Sequence, residues 1–211
     1  MSAREQGFEY SGEGLLVSIS GPSGVGKGTV IKRVRDLLPD AGHSVSVTTR
    51  EKRDGETEGI SYFFRTHEEF KEMNEKGEIL ESDMYLSNHY GTPISPFLRM
   101  AQEGKDVLFD LTVAGSLALM DKFENAVTIF LLPPSMRELK RRLESRGTES
   151  KQVIEKRIAE ASEEIPKAKL FKYVIINDDV EKAANRILSI VEAEKHRYCR
   201  QNQIEERILN N

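Results

Sequence analysis

Apolar residues along this chain fall into two kinds of run, and their alternation sets the architecture. Leu15-Leu16-Val17-Ser18-Ile19, Val107-Leu108-Phe109 and Val127 to Leu132 are nearly continuous apolar segments, and Tyr173-Val174-Ile175-Ile176 is a fourth. Continuous runs of this length suit strands buried on both faces of a parallel sheet. Between them, apolar positions recur at helical spacing. Val30, Val34, Leu37 and Leu38 form one such set over Thr29 to Leu38, ended by Pro39. Phe97, Leu98 and Ala101 form another up to Gly104, a third runs from about Val113 to Phe123, and Ala184, Ile187, Leu188 and Val191 lie in a closing helix from Glu181 to Tyr198. Strands alternating with helices predict an α/β fold built on a parallel sheet.

The stretch from Val45 to Thr92 follows a different rhythm. Val45 to Thr49 alternates and is β-branched, and Tyr62-Phe63-Phe64 reads as a short strand. A helix from about Glu68 to Lys76 stops at Gly77. Ile79-Leu80-Glu81-Ser82, Met84-Tyr85-Leu86 and His89-Tyr90-Gly91 read as short strands joined by turns, and Pro93 suits the first turn of the next helix. One helix among short strands predicts a small mixed sheet inserted into the larger fold. A third kind of segment follows Pro133-Pro134-Ser135. One helix carries Arg141, Arg142 and Arg146, and a second spans about Lys151 to Glu164 until Pro166 stops it. From Pro133 to Leu170, ten Lys/Arg face seven Asp/Glu. That excess suits a surface meeting phosphate groups, although composition alone favours a solvated helical face laced with ion pairs.

Composition narrows the possibilities. The chain has 211 residues, a net charge of −4, 38% hydrophobic residues and one cysteine, Cys199. An acidic balance argues against a general affinity for nucleic acid. No apolar stretch approaches the roughly 18 residues of a membrane span, so no membrane association is expected. A single cysteine forms no internal disulfide and fits a reducing compartment, which makes the cytoplasm the expected location. Residues 1–13 are polar and are expected to be a flexible extension. The four histidines are scattered without metal-ligand spacing.

The chemistry begins at Gly21-Pro22-Ser23-Gly24-Val25-Gly26-Lys27-Gly28, followed by Thr29. This stretch follows an apolar strand and precedes a helix, the context in which a glycine-rich turn cradles phosphate. Backbone N–H groups curl around the anion, the helix N-terminus adds partial positive charge, and Lys27 supplies a full charge to the outer phosphates. The spacing is that of a phosphate loop, but Gly28 stands where the pattern calls for a Ser or Thr hydroxyl to reach Mg²⁺. Asp110 closes a buried strand on the side where α/β folds keep their ligands, and such an acid holds Mg²⁺ directly or through water. Its structural alternative is a helix cap. Arg50 and Arg53 could clamp one phosphate with forked bonds, and Arg142 and Arg146 share a helical face. Taken alone, each arginine pair reads as solvated surface.

In sequence order, several pieces resemble the guanylate kinase family. They are the phosphate loop, Thr48-Thr49-Arg50 with Arg53 and Gly55-Glu56, Tyr62-Phe63-Phe64 with Glu69-Phe70, Glu81, and Tyr90-Gly91-Thr92. Pro133-Pro134-Ser135, Arg142-Leu143 with Arg146-Gly147-Thr148-Glu149, Lys156-Arg157 and Asn177-Asp178-Asp179 continue the likeness, which covers roughly residues 15 to 198. The resemblance implies a phosphate-loop kinase core (14–45, 93–136 and 171–199), an inserted small mixed α+β domain for GMP (46–92) and a helical lid (137–170), with 200–211 as a tail. It implies an Mg²⁺-dependent transfer of the ATP γ-phosphate to GMP, giving ADP and GDP, with dGMP as a further acceptor. Monomer and homo-oligomer both stay open.

The same resemblance assigns residues. Arg50, Arg53, Tyr62 and Tyr90 would hold the GMP phosphate, and Ser46, Glu81 and Thr92 would hold guanine, with Asp110 beside them. Lys27, Arg142, Arg146 and Arg157 would act on ATP and on the phosphoryl group in flight, and Asn177 would contact adenine. A carboxylate at Glu81 makes physical sense, because N1–H and N2–H₂ of guanine are donors and adenine offers neither on that edge. Two positions depart from the family. Gly28 brings no metal-binding hydroxyl, and Thr112 stands where the family commonly has a second acid for guanine. Two other readings remain at this stage: a guanylate-kinase-like binding module with weakened catalysis, and a related kinase for another phosphorylated acceptor such as ribose 1,5-bisphosphate.

Overall fold

A computed structural model of the chain describes residues 14–85, 87–145, 150–201 and 204–210. The first half contains β1 (Leu16–Ser20), α1 (Lys27–Leu37), β2 (Gly42–His43), β3 (Val47–Thr48), β4 (Phe63–Phe64), α2 (His67–Glu75), β5 (Ile79–Tyr85), β6 (Asn88–Pro93) and α3 (Ile94–Gln102). The second contains β7 (Val107–Asp110), α4 (Val113–Lys122), β8 (Val127–Leu132), α5 (Met136–Ser145), α6 (Lys151–Glu164), β9 (Tyr173–Ile176), α7 (Val180–Lys195) and α8 (Ile204–Leu209).

Five strands form a wholly parallel sheet in the order β2-β7-β1-β8-β9. Along β1, side chains alternate between its two faces. Leu15, Val17 and Ile19 pack with Val30 and Val34 of α1 and with Ala184, Ile187 and Val191 of α7. Leu16 turns to the other face and joins Phe97 of α3, Phe109 and Leu119 of α4. Helices on both faces explain why the central strands read as continuous apolar runs. On the α4 face, Ser18 meets Ser116 through a 2.7 Å hydroxyl contact, so this buried polar pair is satisfied internally.

The second sheet is mixed, in the order β4-β3-β6-β5. Val47, Phe63, Phe70 and Ile79 make its own small core against α2. Thr66 caps α2 reciprocally: its hydroxyl accepts from the Glu69 N–H and the Glu69 carboxylate accepts from the Thr66 N–H. The opposite face of this sheet carries Glu81, Asp83 and Tyr90 and shares a cavity with Asp110 at the end of β7.

Several sequence-based expectations need correction. The strand expected over Val45–Thr49 is confined to Val47–Thr48, and the two-residue edge strand β2 was not anticipated. Ile79–Ser82 and the segment beginning at Met84 are one strand, β5, whose pairing with β6 shifts register between Ile79 and Ser82. A bulge lets the strand continue through a sequence too polar to read as one. Leu86 lies outside the described residues. Pro93 ends β6 and caps α3 with extended backbone instead of lying in the helix. Beyond α6 the chain runs on as a 3₁₀ segment, Ile165–Leu170, with Pro166 at its start, where a missing N–H costs nothing. The closing helix ends at Lys195, and the segment expected as a tail contains α8. No described helix is long and apolar enough to cross a membrane.

Candidate active site

The phosphate loop joins β1 to α1 at the carboxyl end of the parallel sheet. Gly24 has φ 85°, and a Cβ there would lie 2.7 Å from Leu143 Cδ2 of α5. Gly26 has φ 94° and is the N-cap of α1. A side chain would be strained at both. Nothing lies within 4 Å of a Cβ built on Gly28, so neither packing nor backbone requires glycine at that position.

Three groups fasten this loop. The Val25 carbonyl accepts from Asn177 Nδ2 at 2.8 Å and from Arg142 Nη1 at 3.1 Å. Arg142 also donates to the Asn177 carbonyl at 3.0 Å and to Glu138 at 2.8 Å. Hydrogen bonds from Arg141 and Arg142 hold the Glu138 carboxyl down at about 2, so it stays ionised and anchors Arg142 from behind. From α6, the Glu164 carboxylate accepts from the Ser23 N–H at 3.4 Å. Asn177 is buried and its Oδ1 has no hydrogen-bond partner among the described residues. Arg142 is thus brought to the loop with its guanidinium on backbone carbonyls. Arg157 is half-buried on α6, and Arg146 lies outside the described residues. Pro22 and Val25 are buried, while Gly28 and Thr29 are exposed.

Lys27 opens α1 and reaches across to the end of β7. Its Nζ lies 2.9 Å from Asp110 Oδ1 and donates to the Leu111 carbonyl at 2.8 Å. Asp110 also lines a cavity of about 460 Å³, together with Ser46, Tyr62, Glu81 and Tyr90. That volume is of ligand size. The lysine–aspartate pair is therefore where the loop and the cavity touch.

Strand period explains the cavity wall. Thr48 pairs with Tyr90, and Asp83 pairs with Tyr90 from the other side. Residues two apart share a face, so Tyr90 lies with Thr92 and Glu81 with Asp83 along this wall, while the register shift between Ile79 and Ser82 lets Ile79 turn into the small core with Val47 and Phe63. Thr92 is buried and its hydroxyl donates to Glu81 Oε1 at 2.8 Å. Burial raises the Glu81 carboxyl above its ordinary value, the Thr92 hydrogen bond lowers it, and the negative charge of Asp83 raises it further.

At the outer end of the cavity, Arg50 lies 5.5 Å from the Tyr62 ring centroid, and the Tyr62 and Tyr90 rings meet edge-on at 6.0 Å. Arg50 donates to Glu56 Oε1 at 2.6 Å, and the Arg53 N–H donates to Glu56 Oε2 at 2.8 Å. One carboxylate thus organises both arginine positions, although the Arg53 residue is exposed. Sequence reasoning gave Glu56 no role, even though its two partners had been singled out. It also passed over Asp83, which lines the cavity. Alternation from Glu81 would have found Asp83 had β5 been read as one strand. Thr112 lines the cavity too, and its hydroxyl accepts from the Gly115 N–H at 3.1 Å as the N-cap of α4. Among the described residues, no group of three or more His, Cys, Asp or Glu side chains could hold a metal ion.

Comparison with known proteins adds an independent line. The family model described as guanylate kinase matches residues 14–194. The guanylate kinase of Halalkalibacterium halodurans is 45% identical over 195 residues, covering 92% of this chain and 94% of that one. That of Enterococcus faecalis is 46% identical over 191 residues, covering 90% and 94%. The crystal structure of guanylate kinase from Anaplasma phagocytophilum superimposes with a TM-score of 0.71 at 34% identity, covering 92% of this chain and 93% of that one.

Proposed function

The chain belongs to the guanylate kinase family and is an enzyme that transfers phosphate from ATP to GMP; we propose that it does so across the seam marked by Lys27 and Asp110. The observation that carries the proposal is their 2.9 Å contact, because it puts the donor loop's one lysine against an acid of the acceptor cavity. In this reading residues 14–45, 93–136 and 171–199 are the kinase core, 46–92 bind GMP, and 137–170 close as a lid.

Backbone N–H groups of the loop, Pro22 having none, and the N-terminus of α1 hold the triphosphate, with Thr29 beside them, the Ser23 N–H leaving Glu164 and Lys27 leaving Asp110 for the outer phosphates. Asn177, whose carboxamide oxygen has no partner among the described residues, serves adenine. Arg50, Arg53, Tyr62 and Tyr90 take the GMP phosphate, and Ser46, Glu81 and Thr92 take guanine. An oxygen of the GMP phosphate attacks the γ-phosphorus in line, the bond to the β–γ bridging oxygen breaks, and ADP leaves with its electrons. No side chain forms a covalent bond. Catalysis is positioning plus charge neutralisation by Lys27, Arg142, Arg146 and Arg157. For Arg142 this requires release from the Val25 and Asn177 carbonyls as the lid rearranges around ATP.

The residues fit a magnesium ion that arrives with the triphosphate rather than one resident in the protein. Asp110 is the carboxylate paired with Lys27, and Gly28 contributes no side-chain oxygen. Such an ion would be held by phosphate oxygens and by Asp110 through water, and it would neutralise charge on the β- and γ-phosphates. dGMP, which lacks only the ribose 2′-hydroxyl, is a second acceptor in this reading. The single cysteine fits a cytoplasmic enzyme.

Replacing Lys27 by alanine tests the proposal. ADP formation from ATP and GMP is expected to fall by roughly a hundred- to a thousand-fold, while calorimetry still detects GMP binding. An unchanged rate would overturn the assignment of the loop.

A further inference from the structure

The wall of the acceptor cavity holds more negative charge than one base-reading glutamate explains. Glu81, Asp83 and Asp110 all line it, and no lysine or arginine is among its lining residues. Asp110 is matched by Lys27. Glu81 and Asp83 remain, two residues apart on one face of β5, with Asp83 directly opposite Tyr90 of β6. They stand close enough that the charge on Asp83 pushes the Glu81 carboxyl upward. Two like charges on one wall oppose each other, and donors of a bound ligand relieve that opposition.

Acceptor capacity at the neighbouring positions is already partly used. Glu81 Oε1 takes the Thr92 hydroxyl at 2.8 Å. The Thr112 oxygen takes the Gly115 N–H at 3.1 Å and is tied to the α4 cap. Asp83 accepts the Met84 N–H through Oδ1 at 2.7 Å, which holds the carboxylate where it lines the cavity and leaves its second oxygen for a ligand. The Watson–Crick edge of guanine presents N1–H and an exocyclic amine with two N–H bonds, and the amine N–H on the N3 side points away from a carboxylate that faces N1–H.

We propose that Asp83 is a specificity-determining residue for the acceptor, its carboxylate accepting from the exocyclic amine of the base beside Glu81. This rests on the reading of Glu81 as the guanine contact. Glu81 then serves N1–H, and Asp83 distinguishes a purine that carries a 2-amino group from one that does not. The class of ligand recognised is a 2-amino-6-oxopurine nucleoside monophosphate.

IMP provides the test, since it is GMP without the 2-amino group. Steady-state ADP formation is measured with GMP and with IMP for the native enzyme and for Asp83→Ala and Asp83→Glu. The native enzyme is expected to prefer GMP. In Asp83→Ala the KM for GMP rises by roughly ten-fold or more, as for loss of a hydrogen bond to a charged group, with kcat little changed. The KM for IMP stays within about two-fold, and Asp83→Glu recovers part of the GMP preference. Parallel changes for GMP and IMP, or no change for either, would overturn the assignment and mean that Asp83 acts through Glu81 or the fold. If the native enzyme failed to turn over GMP at all, the guanine-site reading itself would fall, a result separate from any effect of the variants.

Discussion

Glu81 pays for its position in the folded protein before any substrate arrives. Burial and the charge of Asp83 raise its carboxyl above the ordinary range, and only the Thr92 hydroxyl works in the other direction. The folded state therefore binds the proton more tightly than the unfolded chain. Stability falls as pH rises from the unfolded glutamate value through the folded one, and the cost is fully present above it. Glu81→Gln is accordingly expected to melt at higher temperature than the native protein at pH 7.5, with the difference shrinking on acidification. The same variant should lose roughly ten- to a hundred-fold in kcat/KM for GMP, because an amide presents a donor where guanine needs an acceptor. In the native enzyme, kcat/KM for GMP should drop with acid at a pH above that of an ordinary glutamate. A stability gain without a loss of GMP turnover would separate Glu81 from the base.

Much of the site was legible at this scale because its residue types have narrow chemical uses. Lysine after a glycine loop, arginines near tyrosines and a glutamate near a threonine each suggest a ligand group. What escaped was pairing. The carboxylate of Glu56 bridges Arg50 and the Arg53 backbone, and Asp83 shares a face with Glu81, but both relations depend on backbone course and not on residue type.

Among the elements, the phosphate loop and α5 show how one helix constrains another. Leu143 sits with Leu139, Ile154 and Ala161 in the small core of the α5–α6 segment. It also presses against Gly24, where an added Cβ would come within 2.7 Å of it. Gly24→Ala meets that contact and a φ of 85°, so weakened ATP-analogue binding is expected, together with a destabilisation of at least about 1 kcal/mol. Gly28→Ser meets open space and ordinary backbone, so it should bind the analogue as well as the native protein, with no fall in melting temperature. Calorimetric titration and melting curves on the two variants check this contrast. Equal damage at both positions would mean that the loop tolerates no side chain anywhere.

Element type and order were readable from periodicity, since α1, α4, β8 and α6 obey 3.6-residue or continuous apolar patterns. β5 was not, because Asp83, following the polar Glu81 and Ser82, reads as a turn between two short strands. Its pairing with β6 and the close approach at Gly91 hold it as a strand, since a Cβ on Gly91 would lie 2.9 Å from the Glu81 carbonyl. In the proposed reading that face meets the base, and the polarity this requires is what hides the strand.

For the whole molecule, the arrangement is two sheets with separate cores and a cavity that draws on both. The parallel sheet provides the loop and Asp110, and the mixed sheet provides Glu81, Tyr62 and Tyr90. Lys27 spans the junction to Asp110 at 2.9 Å. This layout accounts for a reaction that needs two nucleotides end to end with little covalent chemistry from the protein. Parallel order was inferable from alternating strands and helices. The meeting of loop lysine and cavity acid was not, since Lys27 and Asp110 are distant in sequence and only the β1–β7 pairing brings them together.

The most direct test of the account is ADP formation from ATP and Mg²⁺, measured in parallel with GMP, dGMP, AMP, UMP and ribose 1,5-bisphosphate as acceptors. GMP is expected to lead, dGMP to follow, and AMP to trail GMP in kcat/KM by about 10⁴ or more, as for a site whose buried carboxylate goes unpaired with the wrong base. Equal turnover of GMP and AMP, or turnover of the ribose bisphosphate alone, would contradict it.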